Sequence, residues 1–117
     1  MNATDALTIS TTQKGNGVVV QLVGSASMEL CDRLNEALYA ACESRPRVLV
    51  VDLSRLDFIC SLGLGGLVAA YLRVQKYGGA LLLASPAESI REMLQVTKLG
   101  QILPMFDTPA EALASIS

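Results

Sequence analysis

Two uninterrupted apolar runs, Val48-Leu49-Val50-Val51 and Ala80-Leu81-Leu82-Leu83-Ala84, constrain this chain more than any other feature of it. A strand with one wet face alternates apolar and polar residues, and neither run does so. Each is bounded by chain-breaking or polar residues, Pro46-Arg47 and Asp52 around the first, Gly78-Gly79 and Ser85-Pro86 around the second. They read as strands covered on both faces, which is the habit of parallel sheets flanked by helices. Val48 to Val51, within a strand from Arg47 to Leu53, is the expected central strand.

The remaining segments supply the partners such a sheet needs. Leu7 to Thr12 and Val18 to Val23 flank Lys14-Gly15-Asn16-Gly17, the pattern of a β-hairpin, with Gly24 ending its second strand. From Ser27 the period changes, because Leu30, Leu34, Ala37, Leu38 and Ala41 recur at three- and four-residue steps. That spacing predicts an amphipathic helix, finished at Ser44-Arg45-Pro46. A polar and mixed stretch, Ser54 to Cys60, leads to a second helix starting near Ser61, with Leu67, Val68, Tyr71, Leu72 and Val74 at helical spacing and Gly78-Gly79 as its left-handed C-terminal cap.

Ser85-Pro86-Ala87-Glu88 and Thr108-Pro109-Ala110-Glu111 each place a capping oxygen, an N1 proline and an N3 glutamate in order. Both are expected to open helices, running to about Val96 and about Ile116, with a short strand Ile102 to Phe106 between them. The predicted order is ββαβαβαβα. Repeated strand-helix-strand units imply right-handed crossovers, hence an α/β fold with a mostly parallel central sheet, one antiparallel edge strand and four helices. A chain of 117 residues holds one such core, so residues 1–117 are expected to form a single domain.

Composition narrows the function. Nine basic residues against eleven acidic ones give a net charge of -2 with no basic run, so there is little with which to neutralise phosphates, and nucleic acid is not an expected partner. No apolar stretch approaches the roughly 20 residues of a membrane span, and Met1 to Asp5 lack the basic segment and apolar core of a secretory signal. A cytoplasmic location is the expectation. Histidine is absent, which removes the commonest general base, the commonest metal ligand and every Ser-His or Cys-His nucleophile pair. The three cysteines have no metal-site spacing and form no disulfide framework. Cys31 and Cys42, on one helix, would stand about 16 Å apart along its axis, and both read as small buried or half-buried hydrophobes. No metal, cofactor or enzymatic activity is expected.

The segment richest in possible chemistry is Asp57 to Gly66, at the carboxyl end of the central strand, where loops of α/β sheets collect function. Ser61 is placed to cap the second helix, beside unpaired backbone N–H groups and the positive end of the dipole, where an attached phosphate would meet a ready anion site. Gly63, Gly65 and Gly66 would let another protein's backbone approach closely. A structural reading competes: Ser61 acts only as a cap, and the glycines only permit tight packing. Gly63-Leu64-Gly65-Gly66 lacks the dinucleotide-binding spacing and is followed by no P-loop lysine. Cys60 could serve a phosphocarrier or redox enzyme if the helix terminus activated its thiol, against the alternative of an ordinary packed thiol. Asp52 reads as a turn hydrogen-bonder and Asp57 as solvated; they form no acid/base pair.

With Asp52-Leu53-Ser54, then Phe58-Ile59-Cys60-Ser61-Leu62-Gly63-Leu64-Gly65, then Gly78-Gly79 before the next strand, the chain resembles the STAS family of sulfate transporters and anti-sigma factor antagonists. The likeness is strongest over Val48 to Ala84. Weaker likeness, including Leu22-Val23-Gly24 and Ser85-Pro86, extends over nearly the whole chain. The resemblance implies a STAS-like (SpoIIaa-like) fold and a non-enzymatic anti-sigma factor antagonist. Its partner would be an anti-sigma factor with serine kinase activity, which phosphorylates Ser61 and thereby loses its grip, while a serine phosphatase restores binding. Ser27, Cys60, Ser61, Leu62, Gly63, Leu64 and Gly65 would form the partner-binding face. Cys60 stands where the family usually has aspartate, Leu62 where it has a small residue, and Ser25-Ala26-Ser27 where Glu-Leu-Asp is common. A constitutive STAS interaction module or transporter-associated subunit is the alternative those changes leave open.

Overall fold

The computed structural model describes residues 7–115. The expected end of the last helix near Ile116 and the reading of Met1 to Asp5 lie outside them. A five-stranded sheet runs in the order β1 (Leu7–Lys14), β2 (Gly17–Ala26), β3 (Val48–Ile59), β4 (Ala80–Ala84), β5 (Met105–Phe106). β1 pairs antiparallel with β2, and every other neighbouring pair is parallel. Among the described residues there are four α-helices, α1 (Cys31–Glu43), α2 (Ser61–Lys76), α3 (Glu88–Val96) and α4 (Pro109–Ala114). This is the mixed α/β sheet expected from the two apolar runs.

Alternation along the central strands sorts their side chains onto two faces. Leu49, Val51, Leu81 and Leu83 join Leu34, Leu38, Leu67, Val74, Ile90 and Leu94 from α1, α2 and α3 in one large core. Val48, Val50, Leu82 and Ala84 face the other way, onto Ala112 and Leu113 of α4. Each fully buried leucine or isoleucine contributes about 1.5–3 kcal/mol of transfer free energy, so the first layer dominates the stability.

Local signals hold at several ends and fail at others. Thr108 caps α4, its Oγ1 accepting the Glu111 N–H at 3.1 Å, with Pro109 at the first helical position. The matching tetrapeptide at Ser85 does not form a capping box. Ser85 takes φ 53°, donates its N–H to the Phe106 carbonyl at 2.8 Å and its hydroxyl to the Asp107 carbonyl at 2.7 Å, and Ala87 is the N-cap of α3. Pairing of β4 with β5 takes the atoms that a cap would use. β5 itself is shorter than expected, because the 3-10 turn at Leu99–Gln101 draws in Ile102 and Leu103, whose N–H groups both donate to the Leu99 carbonyl at 2.9 Å. A 3-10 turn at Met28–Leu30 likewise precedes α1, which starts at Cys31 rather than at Ser27. Gly78, at φ 87°, closes α2 as expected, with the Gly79 N–H bonded to the Val74 carbonyl at 2.8 Å.

The largest departure is the length of the two central strands. β2 continues past Gly24 to Ala26, and β3 continues through Ser54–Ile59, the stretch expected to be irregular. Asp52 pairs with Gln21 but Arg55 with Val23, and Leu56 pairs with Gly24 but Phe58 with Ser25. β3 therefore carries an extra residue at two places, two β-bulges that set Leu53, Leu56 and Ile59 on the same buried face at three-residue steps. The Ser54 N–H displaced at the first bulge donates to Asp52 Oδ1 at 3.0 Å. Asp52 is the sole charged residue buried among those described, and this bond accounts for it.

Packing of α2 separates the glycines of its first turns. A methyl group on Gly63 would stand 2.6 Å from Ile59 Cγ1 and 3.2 Å from Leu34 Cδ2, and one on Gly66 would run into the Asn35 amide. Gly65 faces open space. Overpacking costs about 1–3 kcal/mol, whereas glycine-to-alanine in a helix gains up to about 1 kcal/mol. Gly63→Ala is thus expected to destabilise the protein by on the order of 1 kcal/mol and Gly65→Ala to stabilise it by about 0.5–1 kcal/mol, read as opposite shifts of the urea midpoint.

Burial of Cys42, in the last turn of α1, raises its thiol above the ordinary value of 9.0, with Arg73 pulling it partly back. As pH climbs, the unfolded chain releases this proton before the folded one does. The stabilisation is complete below the unfolded value and is lost as pH rises through the folded one. Denaturant midpoints should fall above about pH 9, and Cys42→Ala should flatten that fall. Tyr77, raised by burial and by the neighbouring Cys42 charge against the pull of Arg45, titrates in the same direction and leaves a residual slope.

Candidate functional site

The extended β2 and β3 end together, Ala26 paired with Ile59, and the chain turns from each into a helix at the carboxyl edge of the sheet. The Cys60 N–H donates to the Ala26 carbonyl at 2.9 Å, which locks the start of α2 beside Ser27. Ser27 is half-buried, with extended backbone and no side-chain capping bond.

Cys60, not Ser61, is the N-cap of α2, and no side chain caps this helix. Ser61 is its first helical residue and is exposed. The expected capping role of Ser61 is therefore corrected: the hydroxyl takes no part in closing the helix. It stands over a first turn whose backbone N–H groups lack intrahelical partners and carry the positive end of the macrodipole. That end of a helix suits an anion.

Two apolar grooves flank Ser61. One, of about 460 Å³, is lined by Phe58, Cys60, Leu64, Met93 and Val96, with Glu92 and Thr97 at its edge. The other, of about 340 Å³, runs between α1 and α2 past Asn35, Tyr39, Leu62, Gly65 and Arg73. The Arg73 guanidinium lies 4.3 Å from the centre of the Tyr39 ring. Leu62 and Val96 are 55% and 82% exposed. Large apolar side chains left this open around one edge of a small protein form a surface suited to contact with another protein.

Of the residues singled out in the sequence, Ser27, Cys60, Ser61, Leu62, Leu64 and Gly65 come together at this edge, while Gly63 is a buried packing position behind it. Asp57 is exposed, and its carbonyl accepts the Ser89 hydroxyl at 3.2 Å. Sequence reasoning missed the α3 wall, Met93 and Val96, whose approach to Cys60 is purely tertiary. It also missed Cys31. Cys31 and Cys60 meet sulfur to sulfur as a disulfide with Cα atoms 7.5 Å apart, so Cys31 is no isolated hydrophobe and Cys60 no lone thiol. Cys42 is free and buried, as expected.

The architecture has counterparts among known proteins. Residues 8–112 match the STAS domain. An anti-sigma factor antagonist homologue of Thermotoga neapolitana is 36% identical over 70 residues, 60% of this chain and 61% of that protein. The match therefore spans less than two thirds of that relative's length. The crystal structure of an anti-sigma factor antagonist from Mycobacterium paratuberculosis superposes with a TM-score of 0.89 at 28% identity, covering 99% of this chain and 98% of the other. The phosphorylated form of the Bacillus cell fate determinant SpoIIAA shares the fold, with a TM-score of 0.72 at 20% identity over 96% of this chain and all of that one. Among the described residues no helix is long and apolar enough to cross a membrane. A domain match over nearly the whole chain, on a sheet whose order and mixed pairing agree with it, establishes that this protein belongs to the STAS domain family.

Proposed function

We propose that this protein is a cytoplasmic anti-sigma factor antagonist whose grip on its partner is controlled by phosphorylation of Ser61. The partner is an anti-sigma factor with serine kinase activity. The unmodified face around Ser61 binds it and frees a sigma factor, and a serine phosphatase resets the modified form. The chain acts by binding: it supplies the acceptor hydroxyl and the docking face, while ATP, Mg²⁺ and the catalytic base belong to the kinase.

The observation that carries this reading is the exposed Ser61 hydroxyl, unused in capping, at the crest between two apolar grooves. Named relatives of similar fold include anti-sigma factor antagonists, one of them in a phosphorylated form. A phosphate adds about -1.5 to -2 charges at the centre of that face. Apolar contacts on either side would then have to close over a solvated dianion, and its desolvation opposes binding.

Ser61→Asp is expected to weaken binding to the recombinant anti-sigma factor kinase by at least about tenfold, on the order of 1.4 kcal/mol, by isothermal titration calorimetry. Ser61→Ala should bind like the parent and gain no phosphate on incubation with kinase and ATP. Full binding by Ser61→Asp, with no mass gain at Ser61 of the parent, would instead favour a constitutive interaction module.

A further inference from the structure

The mechanism above makes no use of the two sulfurs brought together directly behind Ser61. Cys31 is the first residue of α1 and Cys60 the N-cap of α2, so their pair ties together the starts of the two helices that frame the docking face. Cys31 is 1% exposed and Cys60 8%, and Cys60 also lines the 460 Å³ groove beside Met93. Cys60 is therefore the member of the pair that borders an open groove and Cys31 the one sealed from solvent, the order expected of an attacking and a resolving thiol. The Cys31 sulfur lies 3.8 Å from the Ala26 carbonyl, the same carbonyl that receives the Cys60 N–H at 2.9 Å.

We propose that Cys31 and Cys60 form a redox-modification site whose substrate is a low-molecular-weight disulfide, and that closing it stiffens the first turn of α2 on which Ser61 stands. Thiolate at the positive end of the helix is the attacking species. Cys60 Sγ, having lost its proton to solvent, attacks one sulfur of the small disulfide, forming a mixed disulfide and expelling one small thiolate. Cys31 then gives up its proton, and its sulfur attacks Cys60 Sγ and expels the second. Two protein thiols are oxidised by two electrons, and one small disulfide is reduced to two thiols. In a reducing compartment such a bond is transient and responsive rather than a permanent staple.

Any consequence for partner binding rests on the function proposed for Ser61, so the test reads the pair without the partner. The folded 117-residue chain is equilibrated in reduced and oxidised glutathione buffers, then trapped by alkylation and read by mass spectrometry. The expected result is a loss of two hydrogens assigned to a Cys31–Cys60 bond, with Cys42 alkylated only after denaturation. Cys31→Ser should instead accumulate glutathione on Cys60, and Cys60→Ser should take up none on Cys31. Hydrogen exchange of the Leu64 amide, bonded to the Cys60 carbonyl at 3.0 Å, should slow by about tenfold on oxidation. A parent chain that keeps both thiols in fully oxidised glutathione, pairing through Cys42, or equal exchange in the two redox states would each overturn the proposal. None of these results would touch the Ser61 reading, which fails separately if Ser61→Asp binds in full.

Discussion

The parallel pairing of β2 with β3 is the interaction on which the site depends. Its hydrogen bonds persist through two bulges to Ala26 and Ile59, well beyond the apolar run that nucleates the sheet. Without those bulges the side-chain alternation of β3 would place some of Leu53, Leu56 and Ile59 toward the wrong face. With them, all three bury on the α1 to α3 side, and the strand arrives at Cys60 in the position that starts α2 against Ala26. The Asp52 carboxylate belongs to this device, since it accepts the amide that the first bulge removes from the ladder.

The same construction explains the chemical character of the edge. A helix whose N-cap is a cysteine leaves its terminal amides without a side-chain acceptor and its first hydroxyl unemployed. A serine at the cap would have spent that oxygen on the backbone, at a gain of about 1 kcal/mol. Forgoing that stabilisation leaves Ser61 outside the fold's own hydrogen-bond network, where it can be modified without unravelling α2. The glycines divide similarly: Gly63 and Gly66 admit α2 against β3 and α1, and only Gly65 opens outward.

Much of the framework was legible because it rests on local patterns with strong physical causes. Val48 to Val51 and Ala80 to Ala84 could be read as buried strands because an unbroken apolar run shows by itself that both faces must be covered, and Thr108-Pro109-Ala110-Glu111 as a helix start because its cap closes within three residues. The related tetrapeptide at Ser85 misled because β5 lies against β4 and recruits the Ser85 N–H and hydroxyl first. The outer half of β3 misled because two bulges turn a period of two into a period of three, which resembles no regular element in one dimension.

Residue order alone determined the alternation of strands and helices, the mixed sheet, the lack of any histidine-based chemistry, and the position of Ser61 at the opening of α2. Those properties follow from short-range periodicity and from which functional groups the chain contains. Only the tertiary structure decided that Cys60 rather than Ser61 caps the helix, that Met93 and Val96 wall one groove, and that Cys31 reaches Cys60. The physical reason is common to all three: each depends on how far a bulged strand carries the chain before it turns, and that distance is set by pairing with a neighbour rather than by the segment's own sequence.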